Sequence, residues 1–256
     1  MSERGDWTLR AALARTIGRF REDAASLPAR AWKVWSATVV AGYVVVLLLM
    51  FGLVQAGRAL STNGILAWEE AFLLRLEAEL PLSYSSAVWV QTFGTDITLI
   101  ILALFTAVVA IWARRPVHAL GIVVALVGLD LAVRFGWLLW DRARPDVILD
   151  GIAAPGFASY PSGHTAKSLV VYGYLAFLWV HATTSRIERP LAVALTTGLV
   201  LLVMVGRLRM GVHWPSDVVA GAFIGGAWLG IVASALVRAE RIAALEGEEA
   251  PEAARG

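Results

Sequence analysis

Long apolar blocks, broken only by short charged segments, constrain this chain more than any other feature. An α-helix needs about 20 mostly apolar residues to cross a hydrocarbon layer of about 30 Å. Inside lipid every backbone N–H and C=O must be paired within the protein, which leaves helices and closed barrels as the spanning structures. The blocks here have helical length, so we read an all-α integral membrane bundle of six transmembrane helices. The spans fall at roughly 34–57, 85–112, 117–140, 164–182, 191–207 and 215–237. Composition agrees: 58% of the 256 residues are hydrophobic and 16% are charged, against about 25% charged in a typical soluble domain.

The segments between and beside the spans carry the charge. Residues 7–22 place Leu9, Leu13, Ile17 and Phe20 near one helical face, interrupted by Arg10, Arg15, Arg19 and Arg21. That pattern reads as a basic amphipathic helix on a membrane surface, and Pro28 ends it. Between spans one and two, Trp68, Phe72, Leu76 and Leu80 recur every four residues among Glu69, Glu70, Glu77 and Glu79. This segment is too charged to cross hydrocarbon and reads as an interfacial helix. The Ala- and Glu-rich stretch from about Glu240 is expected to fray into disorder.

Charge placement orients the chain. Lys33 and six arginines precede span one, Arg114 and Arg115 follow span two, Arg186 and Arg189 follow span four, and Arg238 and Arg241 follow span six. Six spans put all these on one side, and the positive-inside bias makes that side cytoplasmic. The expected organisation is a basic cytoplasmic segment at 1–33, a six-span membrane domain at 34–238 and a cytoplasmic tail at 239–256, in the inner (plasma) membrane. The chain has no cysteine, which excludes disulfides, thiolate nucleophiles and cysteine-ligated metals. Membrane lipids are the expected surroundings, and nucleic acid is not an expected partner.

Three polar clusters interrupt the apolar sequence: Asp141-Arg142-Ala143-Arg144-Pro145 at the end of span three, Tyr160-Pro161-Ser162-Gly163-His164-Thr165 at the start of span four, and Arg207, His213 and Asp217 between spans five and six. The six-span topology brings all three to the extracytoplasmic face. Each alone has an ordinary explanation, as an interfacial anchor, a turn and cap, or a polar interfacial residue. Together they form a chemical set. Arg144 and Arg207 offer planar forks for phosphate oxygens. Ser162 and Gly163 precede a helix whose first N–H groups attract anions. His213 and His164 titrate near neutrality and suit a nucleophile and a proton donor. Asp217, one helical turn from His213, suits the role of holding its tautomer.

The arrangement Arg144-Pro145, Pro161-Ser162-Gly163-His164 and Arg207-x5-His213-x3-Asp217 resembles the tripartite signature of the type 2 phosphatidic acid phosphatases. Their superfamily also holds soluble acid phosphatases and vanadium haloperoxidases. The resemblance covers roughly residues 85–237. It implies a helical core, no required metal or cofactor, and attack of His213 on phosphorus to form a phosphohistidine. Asp217 would orient His213, and His164 would protonate the leaving oxygen and then help activate water. Arg144, Arg207, Ser162 and the Gly163 amide would hold the phosphate.

Two positions depart from that pattern. Trp137 stands where the family usually has a lysine, and Gly206 stands where it usually has a serine. Lys167 and Arg134 are the candidate replacements for the missing cation. The plainer alternative pairs Arg134 with Asp130, four residues earlier on the same face. Asp96, inside span two, either pairs within the bundle or lies near the site. Gly221-x3-Gly225 and Gly226-x3-Gly230 read as close helix packing, and His118 and His181 as interfacial residues at the cytoplasmic ends of their spans. The expected substrate is a lipid phosphate or diphosphate, such as undecaprenyl diphosphate, phosphatidylglycerol phosphate, phosphatidic acid or lipid A phosphate. A lipid phosphotransferase using the same intermediate, an anionic-lipid transporter, and an inactive phosphate-binding relative are the alternatives. Transport is disfavoured by the lack of matching broken helices in two halves.

Overall fold

Pro28 caps a helix of 34 residues and so separates it from the short basic helix before it. The computed structural model describes residues 9–148 and 158–253. Its helices are α1 (Leu9–Ala25), α2 (Ala29–Thr62), α3 (Trp68–Glu79), α4 (Tyr84–Gln91), α5 (Asp96–Trp112), α6 (Pro116–Leu139), α7 (Gly163–Ala182), α8 (Glu188–Arg209) and α9 (Pro215–Ala253). No strand occurs among the described residues. The outermost parts of the two expected cytoplasmic segments, 1–8 and 254–256, lie outside them, as does 149–157.

Among the described residues, five stretches are long and apolar enough to cross a membrane: Ala29–Thr62, Tyr84–Trp112, Pro116–Leu139, Glu188–Arg209 and Pro215–Glu248. The chain is therefore a multi-pass membrane protein. The fourth expected span, α7, has 20 residues but is not in that set. Its polar residues explain this: Thr165, Lys167 and Ser168 are all buried. α7 packs against α5, α6, α8 and α9. A helix walled in by four others is not required to present an apolar surface to lipid.

The expected second span, 85–112, is not one helix. A 3-10 turn, Thr92–Gly94, divides α4 from α5. The carbonyl of Thr92 accepts hydrogen bonds from the hydroxyls of Thr95 and Thr98, at 2.9 and 2.7 Å. These side chains replace the helical partner and let the chain turn. Gly94 permits the close approach of α7 and α8, since a Cβ there would stand 2.7 Å from Val203 Cγ1 and 2.9 Å from Ser168 Oγ.

Small residues bring α7 and α9 together. A Cβ on Gly221 would stand 2.5 Å from the Ser162 carbonyl oxygen, and one on Gly225 would stand 2.7 Å from that of Ala166. The expected glycine packing holds for this pair but not for its companion. Gly226 has only ordinary contact and Gly230 faces open space.

The expected fraying after Glu240 does not occur at that point, because α9 continues to Ala253. Ala235, Leu236 and Ala239 are buried against Ala31, Trp35 and Val117. Glu240 takes Arg115 at 3.3 Å, His118 at 3.4 Å and His181 at 3.5 Å. Good helix formers follow. This cluster occupies the end of the bundle opposite His164.

α3 also presents an unexpected face. Trp68 and Phe72 point outward, while Glu69 and Leu73 are fully buried. The acidic residue, not the aromatic stripe, meets the protein.

Candidate active site

The three polar clusters meet where the end of α6, the start of α7 and the α8–α9 turn converge. Local chemistry sets each piece. Ser162 is the N-cap of α7 and accepts from the Thr165 amide, as capping hydroxyls do. The Ser162 amide donates to the Asp217 carbonyl at 2.9 Å, tying the second cluster to the third. After α8 the chain reverses at Gly211, whose φ of 66° lies in the left-handed region that favours glycine. A Cβ there would also meet Ile148 Cγ1 at 2.6 Å. That turn delivers His213 to the centre and Pro215 to the first turn of α9.

His213 is 1% exposed. Its Nδ1 lies 3.4 Å from Asp217 Oδ2, at the outer edge of hydrogen-bonding range, and no full hydrogen bond forms at that nitrogen. Its Nε2 lies 3.3 Å from Arg144 Nη1. The same Nη1 donates to the Val212 carbonyl at 2.5 Å, which fixes the guanidinium beside the ring. Burial, reinforced by Arg207 and Arg144, pushes the His213 pKa down to about 4, with Asp217 opposing. The ring is therefore neutral at pH 7. Burial also lowers the Arg144 pKa, against the field of Asp217, and the guanidinium stays charged.

Arg207 is buried, and its Nη1 donates to the side-chain carbonyl of Gln91 at the end of α4. Arg144 and Arg207 act electrostatically on one another. His164, in the first turn of α7, lies in the combined field of Arg207, His213, Lys167 and Arg144. Arg144, Arg207, His164 and His213 thus lie within electrostatic reach of one another near the N-terminus of α7.

Asp217 is completely buried and fully engaged. Oδ1 accepts from Arg142 Nη1 at 2.6 Å. Oδ2 accepts from the Trp214 amide at 2.8 Å and from the Ser159 hydroxyl. Behind it, Arg142 Nη2 meets Glu69 Oε2 at 2.5 Å and Arg142 Nη1 meets Ser216 Oγ at 2.7 Å. Glu69 Oε1 accepts from the Ser216 amide at 2.7 Å. Glu69 from α3, Arg142 from the loop after α6, and Asp217 from α9 form one buried chain that ends on His213. Trp140 and Trp214 flank the Arg142 guanidinium, with ring centroids 5.2 and 5.4 Å away.

Sequence reasoning assigned no role to Glu69, Arg142, Ser159 or Gln91. Arg142 stood in a cluster of charges that contains Arg144. The apolar four-residue period of α3 drew attention to Trp68 and Phe72 and hid the buried acid beside them.

The two candidate replacement cations are engaged elsewhere. Lys167 Nζ is bonded to Asp96 and stands 3.2 Å from Asp130 Oδ1. Arg134 Nε donates to Asp130 Oδ2 at 2.7 Å, the helical pairing that its spacing allows. Lys167 contributes to the field at His164, but its ammonium is held by two carboxylates. At the departed position, Trp137 donates its indole N–H to the Pro161 carbonyl at 3.1 Å. A Cβ on Gly163 would stand 3.3 Å from the Trp137 ring. Trp137 is a strut beneath the Pro161-Ser162-Gly163 loop. Gly206 packs against α4, where a Cβ would stand 3.3 Å from the Ala87 carbonyl. Among the described residues, no group of three or more His, Asp or Glu is arranged to hold a metal.

Buried Arg207 and His213, with half-buried Arg144 and His164, gather at one end of a multi-pass helical bundle. The chain matches the PAP2 superfamily model over residues 118–241. In fold it is similar to the crystal structure of the first transmembrane PAP2 type phosphatidylglycerolphosphate phosphatase from Bacillus subtilis. The TM-score is 0.64 at 21% identity, covering 74% of this chain and 93% of that one. Comparison with curated proteins found no match.

Proposed function

We propose that the protein is a membrane lipid phosphatase that acts through a phosphohistidine at an extracytoplasmic site. One observation carries this most: a buried, neutral His213 has Nε2 beside Arg144 and Nδ1 toward Asp217. A phosphate drawn to Arg144 and Arg207 takes over the Arg144 N–H that faces Nε2 at 3.3 Å and leaves that lone pair to attack phosphorus. The Nε2–P bond forms as the P–O bond to the lipid breaks, and His164 gives its proton to the leaving oxygen. Water then attacks phosphorus, His164 takes its proton, and the N–P bond breaks to release phosphate. Ser162 and the Gly163 amide complete the cradle, and positive charge aimed at the developing oxyanion lowers the barrier. Asp217, held by Arg142 and Glu69, keeps the Nδ1 proton in place and stabilises the charge His213 gains.

The proposed topology counts α7 as the fourth of six spans, with the site at the outer face and the arginine-rich loops at the cytoplasmic face, as the positive-inside bias supports. α3 then rests at the outer interface with Trp68 and Phe72 toward lipid. A headgroup reaches the site from the membrane surface while its acyl or prenyl chains stay in hydrocarbon. The fold similarity to a phosphatidylglycerolphosphate phosphatase puts phosphatidylglycerol phosphate first among the substrates to try. The test is phosphate release by detergent-purified protein from a panel of lipid mono- and diphosphates, with acid quenching to trap phosphoenzyme. Wild type should form an acid-labile phosphoenzyme that His213→Ala lacks. Normal turnover by a folded His213→Ala protein would rule out the mechanism.

A further inference from the structure

Outside the catalytic centre, Asp96, Asp130, Arg134 and Lys167 form a charged cluster on the outside of the bundle between α5, α6 and α7. Lys167 is the buried member, bonded to Asp96 and to Asp130. Asp130 also holds Arg134. The outer two members are open: the side chains of Asp96 and Arg134 are 56% and 54% exposed. They line a cleft of about 230 Å³ whose other walls are Ile100, Leu126, Val127 and Leu131. Several of these wall residues, with neighbouring Ile97 and Ile101, are exposed large hydrophobics, so this side of the bundle meets lipid.

Helix length sets the depth of the cluster. α5 has 17 residues, about 25 Å of helix, close to one hydrocarbon thickness of about 30 Å. Asp96 opens α5 at the end nearer the catalytic centre, at the level where hydrocarbon gives way to headgroups. Arg134 is held near Asp96 and feels its field. Charged side chains facing lipid are costly and call for a partner. Two acids and two bases give the cluster no net charge, so an anion or a cation alone would unbalance it.

The open valences are specific. Arg134 uses Nε on Asp130, and its two terminal amino groups make no bond among the described residues. Asp96 uses Oδ1 on Lys167, and Oδ2 is free in the same sense. A carboxylate oxygen and a guanidinium edge, side by side above an apolar wall, match an ammonium, a phosphodiester and an acyl chain in one molecule.

We propose that this cleft binds a phospholipid whose headgroup joins a primary ammonium to a phosphodiester. The ammonium meets Asp96, the phosphodiester meets Arg134, and one chain lies along Val127 and Leu131. The site is separate from the catalytic centre and does not depend on the phosphatase reading.

The test is retention of added lipid by delipidated, detergent-purified protein, read by native mass spectrometry. Dioleoylphosphatidylethanolamine, dioleoylphosphatidylcholine and dioleoylphosphatidylglycerol are compared at equal mole fraction. A quaternary ammonium has no N–H to give Asp96, so the ethanolamine lipid should be retained about ten-fold better than the choline lipid. The glycerol lipid, an anion only, should also fall below it. Asp96→Asn and Arg134→Gln should each remove the preference. Val127→Trp, which fills the cleft from an exposed position without touching a charge, should do the same if a charge variant fails to fold. Equal retention of all three lipids, or a preference that survives Val127→Trp, overturns the proposal. Loss of the preference in Arg207→Ala overturns it too, because the lipid would then lie in the catalytic centre. That outcome leaves the phosphatase reading intact, just as absent phosphatase activity leaves the lipid site intact.

Discussion

Removing the Glu69 carboxylate tests whether the buried chain behind Asp217 serves the reaction. Glu69 is 1% exposed and makes two short bonds, to Arg142 at 2.5 Å and to the Ser216 amide at 2.7 Å. In Glu69→Gln the amide keeps an acceptor for only one of these two donors. Arg142 retains Asp217 at 2.6 Å and Ser216 Oγ at 2.7 Å, so its charge stays paired. The cost should therefore fall at or below the low end of the roughly 3–5 kcal/mol seen when a buried ion pair loses one member. Arg142, released on one side, draws more strongly on Asp217 and turns that carboxylate from His213. A loss of about 1–3 kcal/mol of transition-state stabilisation corresponds to about 5- to 150-fold in kcat/KM. The assay is kcat and KM on a lipid phosphate, with Tm measured alongside. Expected are a lower kcat, a smaller change in KM, and an acid limb of the pH profile that moves as His213 senses less of Asp217. A cycle with Asp217→Asn should show coupling of about 0.5–3 kcal/mol. Glu77→Gln is the control, because Glu77 faces Arg209 at 3.8 Å and is partly exposed. Its effect should stay below about 1 kcal/mol. A folded Glu69→Gln protein with wild-type kcat and an unmoved pH profile would refute the positioning role.

Three other outcomes follow from the same geometry. His213 has its pKa lowered from 6.5 to about 4 by burial, so the native state resists protonation that the unfolded state accepts. Its contribution to stability is full above pH 6.5 and declines as pH falls toward 4, by roughly 3 kcal/mol in all; a Tm profile over that range flatter in wild type than in His213→Asn would contradict this. Gly221→Val should destabilise the protein by about 1–3 kcal/mol and lower activity as well, because the first Cβ already stands 2.5 Å from the Ser162 carbonyl; an unchanged Tm would show that α9 can move away freely. Cysteine introduced at exposed Asp146 should react with a membrane-impermeant thiol reagent in intact cells, while cysteine at exposed Arg186 should react only after lysis; the reverse pattern inverts the topology.

Period and spacing alone made much of this protein legible. Apolar blocks of helical length dictate a membrane bundle, because lipid offers no other partner for backbone amides. Arg144, Ser162, His164, Arg207, His213 and Asp217 stand out because polar residues at the ends of such blocks are few and chemically matched. What stayed hidden depends on contacts between distant segments. Glu69 belongs to a charged helix and has the composition of a surface acid, and only the docking of α3 on the α8–α9 turn buries it against Arg142. Lys167 sits one turn from His164 in sequence, yet Asp96 and Asp130 draw its ammonium away, and neither acid is near it in the chain. Trp137 marks a lost lysine when read as a letter in a motif, and a strut under Pro161 and Gly163 when seen in place. A sequence records which side chains carry charge and with what period they recur. Which charge faces which is decided by packing, since a single pairing of helices determines whether a carboxylate meets water, lipid or a guanidinium.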